Sequence, residues 1–281
     1  MTGARVLRAA GPGAVRPLRR HGPAVALDLG SARTRAWIAG RGIVVDVPTV
    51  TFPGRGGMHP VQRGTIVDPA GAARMLDRLL GHRLPRFGRP LVVVTTPALG
   101  GPDFRAAART AAEVLRPREV LTVPAARAVA VAAGADDTRP LLVVDIGAHL
   151  TEAVLLVGGE VTDARRMALG TGDLADGTPS GQLTDAVVEM VTGMQRQDRT
   201  ARTRTALRRG VLLAGGGALR PDITHALPAR LGCPVSPVPS PHTAAVLGAA
   251  SLAGPLRRRT PDGTRERPSA PGHDLHSLEE P

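Results

Sequence analysis

A chain of 281 residues with 42% hydrophobic content can bury a substantial core, and its single Cys233 excludes an internal disulfide, just as its eight scattered histidines lack zinc-ligand spacing. The formal charge of +12 would suit nucleic acid, but aromatics are 1% and Tyr is absent, so there is no base-stacking platform and no specific nucleic-acid signal. All the basic residues are Arg, which beside abundant Ala, Gly and Pro reads as the coding bias of a GC-rich genome, and the absence of a membrane-spanning run or a signal-peptide core makes the cytoplasm the expected location.

Residues 1–23 place Arg5, Arg8, Arg16, Arg19 and Arg20 among Gly and Pro, the composition of a flexible basic arm. Such an arm is either a solvated tail or a peripheral contact with anionic lipid at the inner face of the membrane. The folded part then opens with the apolar run Ala24 to Leu29, followed by Thr34 to Ala39 and Gly42 to Val47. These read as an antiparallel meander with Val and Ile at pairing positions. Ala70 to Leu80 carries Met75, Leu76, Leu79 and Leu80 on one helical face and Arg74, Asp77 and Arg78 on the other. Leu91 to Thr95 is a buried, β-branched strand, and Pro102 to Leu115 a helix with Pro and Asp in its first turn. Val120 to Val123 and Pro124 to Ala133 add a second strand and helix. Leu141 to Val144, Thr151 to Val157 and Val161 to Met167 then return to the opening pattern. After them come a helix from Leu183 to Met194, an Arg/Thr-rich link, a strand from Val211 to Ala214 and a helix from Pro221. Residues 254–281 lack hydrophobic periodicity and are expected to be disordered.

Within this order the turn Asp28-Leu29-Gly30 recurs as Asp145-Ile146-Gly147, 117 positions later, inside the same strand–turn–strand frame. This is an internal repeat, each copy large enough to be one α/β lobe, so lobes are expected over 24–139 and 140–253. A carboxylate ending a buried strand can approach a phosphate-bound Mg²⁺ through water while the following backbone N–H groups meet phosphate oxygens. Two such turns can clamp a polyphosphate between them. A third turn, Gly215-Gly216-Gly217-Ala218-Leu219, permits close backbone approach to a ligand.

With these motifs in order, residues 24–253 resemble MreB, the bacterial actin homologue of rod-shape determination in the actin, Hsp70 and sugar-kinase superfamily. Asp28-Leu29-Gly30-Ser31-Ala32-Arg33-Thr34 is similar to its first phosphate loop, and Gly40-Arg41-Gly42-Ile43-Val44 with Pro48-Thr49-Val50 to the hairpin that follows. Gly64-Thr65-Ile66-Val67-Asp68 leads into a helix as in MreB. Asp145-Ile146-Gly147 with Thr151-Glu152 resembles the second phosphate loop, Gly215 to Leu219 the adenosine-contacting loop, and residues 241–253 the closing helix, which the resemblance implies packs back on the first lobe. The resemblance implies an actin-like ATPase fold of two duplicated RNase H-like lobes, with ATP as ligand and Mg²⁺ held through water by Asp28 and Asp145. It implies ligand contacts at Asp28, Gly30, Ser31, Arg33, Asp145, Gly147, His149, Thr151, Gly215, Gly216, Gly217 and Ala218.

The chain departs from that family where mechanism is concerned. Ala148, His149 and Leu150 fill a stretch that MreB makes of glycines and threonine; His149 is either a phosphate contact or a plain substitution. Arg33, where MreB usually has Asn, contacts phosphate or points to solvent. Val123 stands before Pro124 where the family places the glutamate that positions the attacking water, and no catalytic residue is assigned. Both small subdomains are reduced: a Gly-rich linker lies between Pro53 and Val61, and little more than one helix between Asp173 and Val211.

Three functions fit these residues. The first is a reduced, nucleotide-binding cytoskeletal or morphogenetic protein, at most a weak ATPase, that self-associates or acts with other bacterial actin-like proteins. The second is an active ATPase or small-molecule kinase of the superfamily, and the third a nucleotide-free interaction scaffold.

Overall fold

The computed structural model describes residues 22–52, 56–86, 88–175 and 177–258; the basic arm up to residue 21 and residues 259–281 lie outside the described residues. The chain opens with β1 (Ala24–Leu29), β2 (Arg33–Ile38) and β3 (Gly42–Pro48), antiparallel neighbours. Gly40 and Gly42, at φ 79° and 74°, form the tight turn between β2 and β3, a conformation that costs glycine nothing. A short hairpin, β4 (Val61–Gln62) and β5 (Thr65–Ile66), leads to α1 (Pro69–Leu80). Asp68 caps this helix by accepting from Gly71 N at 2.7 Å, Pro69 suits its first turn, and Ala72, Met75, Leu76 and Leu80 bury its inner face. The first lobe continues with β6 (Leu91–Thr96), α2 (Gly101–Ala112), β7 (Glu119–Pro124) and α3 (Ala125–Ala132).

The second lobe repeats the plan. Its meander is β8 (Leu141–Ile146), β9 (Thr151–Val157) and β10 (Glu160–Met167), followed by α4 (Ser180–Gln197) and α5 (Arg202–Arg209). Then come β11 (Val211–Ala214), α6 (Pro221–Leu231), β12 (Val235–Pro237) and α7 (Ala244–Arg258). The two five-stranded sheets share one order, β3-β2-β1-β6-β7 and β10-β9-β8-β11-β12, each an antiparallel meander continued by parallel strands.

Helices α1 and α2 cover the outer face of the first sheet, and α4 and α6 that of the second. Between the sheets lie α3 and α7. Val246, Ala249, Ala250 and Ala253 of α7 pack on Ala24, Ala26, Leu91 and Val93 of the first sheet, while Ala126, Val129 and Ala130 of α3 pack on Leu141, Val143 and Val154 of the second. Small residues let the two helices touch. A Cβ at Gly248 would lie 1.7 Å from the carbonyl oxygen of Ala128.

Several boundaries differ from those expected. The closing helix starts at Ala244 and runs through Arg258, so residues 254–258 are helical rather than part of the expected disordered tail, the rest of which lies outside the described residues; packing of Ala249, Ala250 and Ala253 anchors the helix before Gly254 and Pro255, where local propensity would end it. The Arg/Thr-rich link holds α5, and the segment after the Gly-rich linker forms the β4–β5 hairpin. In place of large insertions, the described residues show only that hairpin with a Thr51–Met58 bridge in the first lobe and α4 with α5 in the second.

Candidate functional site

The two Asp-x-Gly turns are built alike. Gly30 N donates to Arg33 O at 3.1 Å, and Gly147 N to Leu150 O at 2.9 Å. A Cβ on either glycine would sit 2.9 Å from that carbonyl oxygen, so neither position accepts a side chain without movement. Thr49 Oγ1 donates to Gly30 O at 2.7 Å, and Thr171 N to Gly147 O at 2.9 Å, bracing each turn from the strand side. Ser31, Ala32 and Ala148, whose N–H groups donate to no backbone carbonyl among the described residues, line the space between.

That space is a cleft of about 320 Å³ between the lobes. Of the residues expected at a ligand, Asp28, Gly30, Ser31 and Arg33 line it from the first lobe, and Asp145, Gly147, Gly215 and Gly216 from the second. Gly215 has φ 81°, and a Cβ there would meet Ile146 O at 2.3 Å and Asp145 Oδ1 at 2.4 Å, so the third turn is pressed against the second. Gly216 instead faces open space, its nearest neighbour Thr171 Oγ1 at 3.7 Å. Thr151, Gly217 and Ala218 support the turns from behind. Thr151 is buried and donates to Leu169 O at 2.8 Å, Gly217 backs onto the Ile146 side chain, and Ala218 joins the second lobe's core.

Arg33 is turned to β3, where its Nε donates to Asp46 Oδ1 and its Nη2 to Asp46 O, both at 2.6 Å. His149 links the two turns across the cleft, its Nδ1 sharing a hydrogen bond of 3.0 Å with Ser31 Oγ. Nearby, Arg63 in the β4–β5 turn donates to Asp173 Oδ1 at 2.7 Å and Ala168 O at 2.6 Å in the second lobe. Burial would raise the Asp173 carboxyl, but the Arg63 and Gly170 hydrogen bonds and the charges of Arg63 and His149 outweigh it and hold it below its ordinary value. Val123 is 7% exposed and packs with Val246 and Ala249 in the apolar layer between the sheets.

Two charged residues in the cleft were not among the ligand contacts expected from the sequence, although Glu152 ends the segment that resembles the second phosphate loop. Arg35 stands across from Asp28 on β2, and Glu152 stands in the corresponding register across from Asp145 on β9. Arg35 Nη1 lies 3.5 Å from Asp28 Oδ2 and its Nε 3.3 Å from Asp46 Oδ1, while Thr95 Oγ1 donates to Asp28 Oδ1 at 2.8 Å. Glu152 is buried and accepts from the N–H groups of Ala98 at 3.2 Å and Leu99 at 3.5 Å. Asp28 thus faces a guanidinium where Asp145 faces a second carboxylate. Burial, then the charges of Asp28 and Glu152, push the Asp145 carboxyl up to about 7 against the opposing pull of Arg35. Burial also raises Glu152, against its two backbone donors and Arg166.

This donor set suits an anionic phosphate chain. Two buried nitrogens of cleft-lining residues, Arg35 Nε and His242 Nδ1, make no hydrogen bond among the described residues; the contact of Arg35 Nε with Asp46 is an ion pair without hydrogen-bond geometry. The expected Mg²⁺ at Asp28 and Asp145 fits less well. Both oxygens of Asp28 are engaged, one of them by a cation.

No protein-family model matches this sequence, and neither does any curated protein. Solved structures do. MreB5 of Spiroplasma citri bound to ADP superposes with a TM-score of 0.76 at 14% identity, over 85% of this chain and 98% of that one. The MamK double helical filament gives a TM-score of 0.67 at 16% identity, over 82% and 98%. The ethanolamine utilization protein EutJ of Carboxydothermus hydrogenoformans gives 0.57 at 18% identity, over 84% and 91%. The duplicated sheets, the cleft between them and these superpositions agree: the chain has the actin-like fold in the form seen in MreB5 and MamK.

Proposed function

We propose that this protein is a reduced, MreB-like actin homologue that binds an adenine nucleotide and serves as a cytoskeletal or morphogenetic element in bacterial cell shape or cell-wall organisation, with weak or no ATP hydrolysis. One observation carries the reading: two identically built Asp-x-Gly turns, one from each lobe, face a single cleft that a third glycine turn completes. Bound there, the nucleotide supplies a polyphosphate that joins the lobes. The N–H groups of Ser31, Ala32 and Ala148 would donate to it, Arg35 would balance its charge, and the open face of Gly216 leaves room for the nucleoside. MreB5, solved with ADP and with AMPPNP, supports this ligand class.

Weak hydrolysis follows from Val123, which is apolar and packed away and can neither orient water nor accept a proton. The filament formed by MamK supports self-association. Peripheral membrane contact through the basic arm, on the cytoplasmic side, belongs to the same proposal. Calorimetric titration of the full chain with ATP and ADP tests it. Saturable binding that Gly216→Val removes, with phosphate release near background, is the expected result; no saturable binding of either nucleotide refutes the reading.

A further inference from the structure

We propose that Arg35 is a built-in counter-ion and that the cleft takes the phosphate chain of its nucleotide without a divalent cation. The inference rests on the nucleotide reading above and specifies the form in which the ligand binds.

A polyphosphate entering this cleft meets Asp28, Asp145 and Glu152, so positive charge must accompany it. A hydrated divalent ion shared between carboxylates and phosphates is one source of that charge. Two of these carboxylates, Asp28 and Glu152, are already committed. Asp28 has Thr95 on one oxygen and Arg35 on the other, and Glu152 is held by the backbone of Ala98 and Leu99. An ion placed against Asp28 would also meet the fixed charge of Arg35.

Arg35 itself is suited to the task. Its side chain is 13% exposed, it lines the cleft, and Asp28 and Asp46 hold it from two sides, so little freedom remains to be lost on binding. Its role as partner to Asp46 is redundant, since Arg33 already binds that carboxylate at 2.6 Å. Its Nε makes no hydrogen bond among the described residues. The terminal nitrogens of a planar guanidinium that lines the cleft can meet phosphate oxygens in pairs, which a neutral side chain at this position could not do.

The test is calorimetry of the full chain with ADP and with ATP, in excess Mg²⁺ and in EDTA. Wild-type affinities are expected to agree within about threefold between the two conditions. Arg35→Met should weaken binding in EDTA by about tenfold or more, with Arg35→Lys, which keeps the charge but not the planar fork, falling between the two. Wild-type binding that collapses in EDTA, or Arg35→Met binding as tightly as wild type, overturns the inference and leaves the nucleotide reading standing. No nucleotide binding in either condition overturns both. Titration of the nucleotide-free wild type with Mg²⁺ alone needs no variant: absence of saturable binding is expected, and a saturable Mg²⁺ site overturns the proposal even if Arg35→Met fails to fold.

Discussion

Asp145→Asn probes the unequal charge of the two half-sites. In the folded protein burial, Asp28 and Glu152 hold the Asp145 carboxyl at about 7 against an ordinary value of 3.8, so the native state keeps a proton that the unfolded chain releases. The sign follows from linkage. A folded value raised above the unfolded one contributes stability that is fully present below the unfolded value and is lost as pH rises through the folded one. The full gap corresponds to roughly 4 kcal/mol, an upper figure because the cleft admits water that screens part of it. Asparagine keeps the size of the side chain and carries no titrating proton, so the variant should lack this slope. Urea unfolding of both proteins at about pH 5 and about pH 8 should show the variant gaining on wild type by roughly 2–3 kcal/mol over that interval. A stability difference that stays constant with pH, or that moves toward wild type as pH rises, refutes the reasoning.

Gly248→Ala should destabilise the protein by about 3 kcal/mol or more, because the added methyl would meet the Ala128 carbonyl at 1.7 Å and must force α3 and α7 apart; thermal unfolding measures it, and a loss within experimental error would contradict the close packing. Val123→Glu should cost about 3 kcal/mol by placing an unpaired carboxylate in the apolar layer beside Val246, and should leave phosphate release at background; a well-folded variant with steady ATP turnover would show that the position reaches the cleft after all.

Much of this architecture is legible in the sequence because the strong signals are local. The Asp-x-Gly turns, the apolar run of β1 with the Val- and Ile-bearing strands after it, and the buried run of β6 each state their own geometry, and the recurrence of the strand–turn–strand frame after 117 positions gives the lobes. The elements that escape such reading have weak local signals. Helix α5 buries only Thr203, Ala206 and Leu207 among five arginines and threonines that read as a link, and β12 is three residues ending in Pro237. The ends of α7 depend on what the helix packs against, which no window of neighbouring residues contains. Cleft-facing residues divide the same way. Asp28 and Gly216 announce themselves through glycine spacing, whereas Val123 can be seen to be apolar but not to lie in the layer with α7. The bond between His149 and Ser31 joins residues from different lobes, so it emerges only once the two turns face each other.

Arg35 and the pairing of Glu152 with Asp145 could nonetheless have been read, because the offset that carries Asp28 onto Asp145 also carries Arg35 onto Glu152. Both follow a buried threonine, Thr34 and Thr151, and both stand opposite the turn aspartate in identical register. Backbone geometry is therefore conserved between the halves while the charge at one position is reversed. A symmetric pair of carboxylate-rich turns would repel across the cleft and need an external cation to close; a symmetric pair of arginines would leave the lobes repelling with the opposite sign. One guanidinium among three carboxylates lets the first half-site stand neutral with Asp28, while Glu152 turns to the backbone of Ala98 and Leu99 and ties the second lobe to the first. The same asymmetry concentrates the remaining strain on Asp145, whose proton takes the place of a missing positive charge. Ligand binding that brings no cation of its own should then draw on Arg35 first, and its affinity should fall as Asp145 ionises, which ties the pH dependence of stability to that of binding through one side chain.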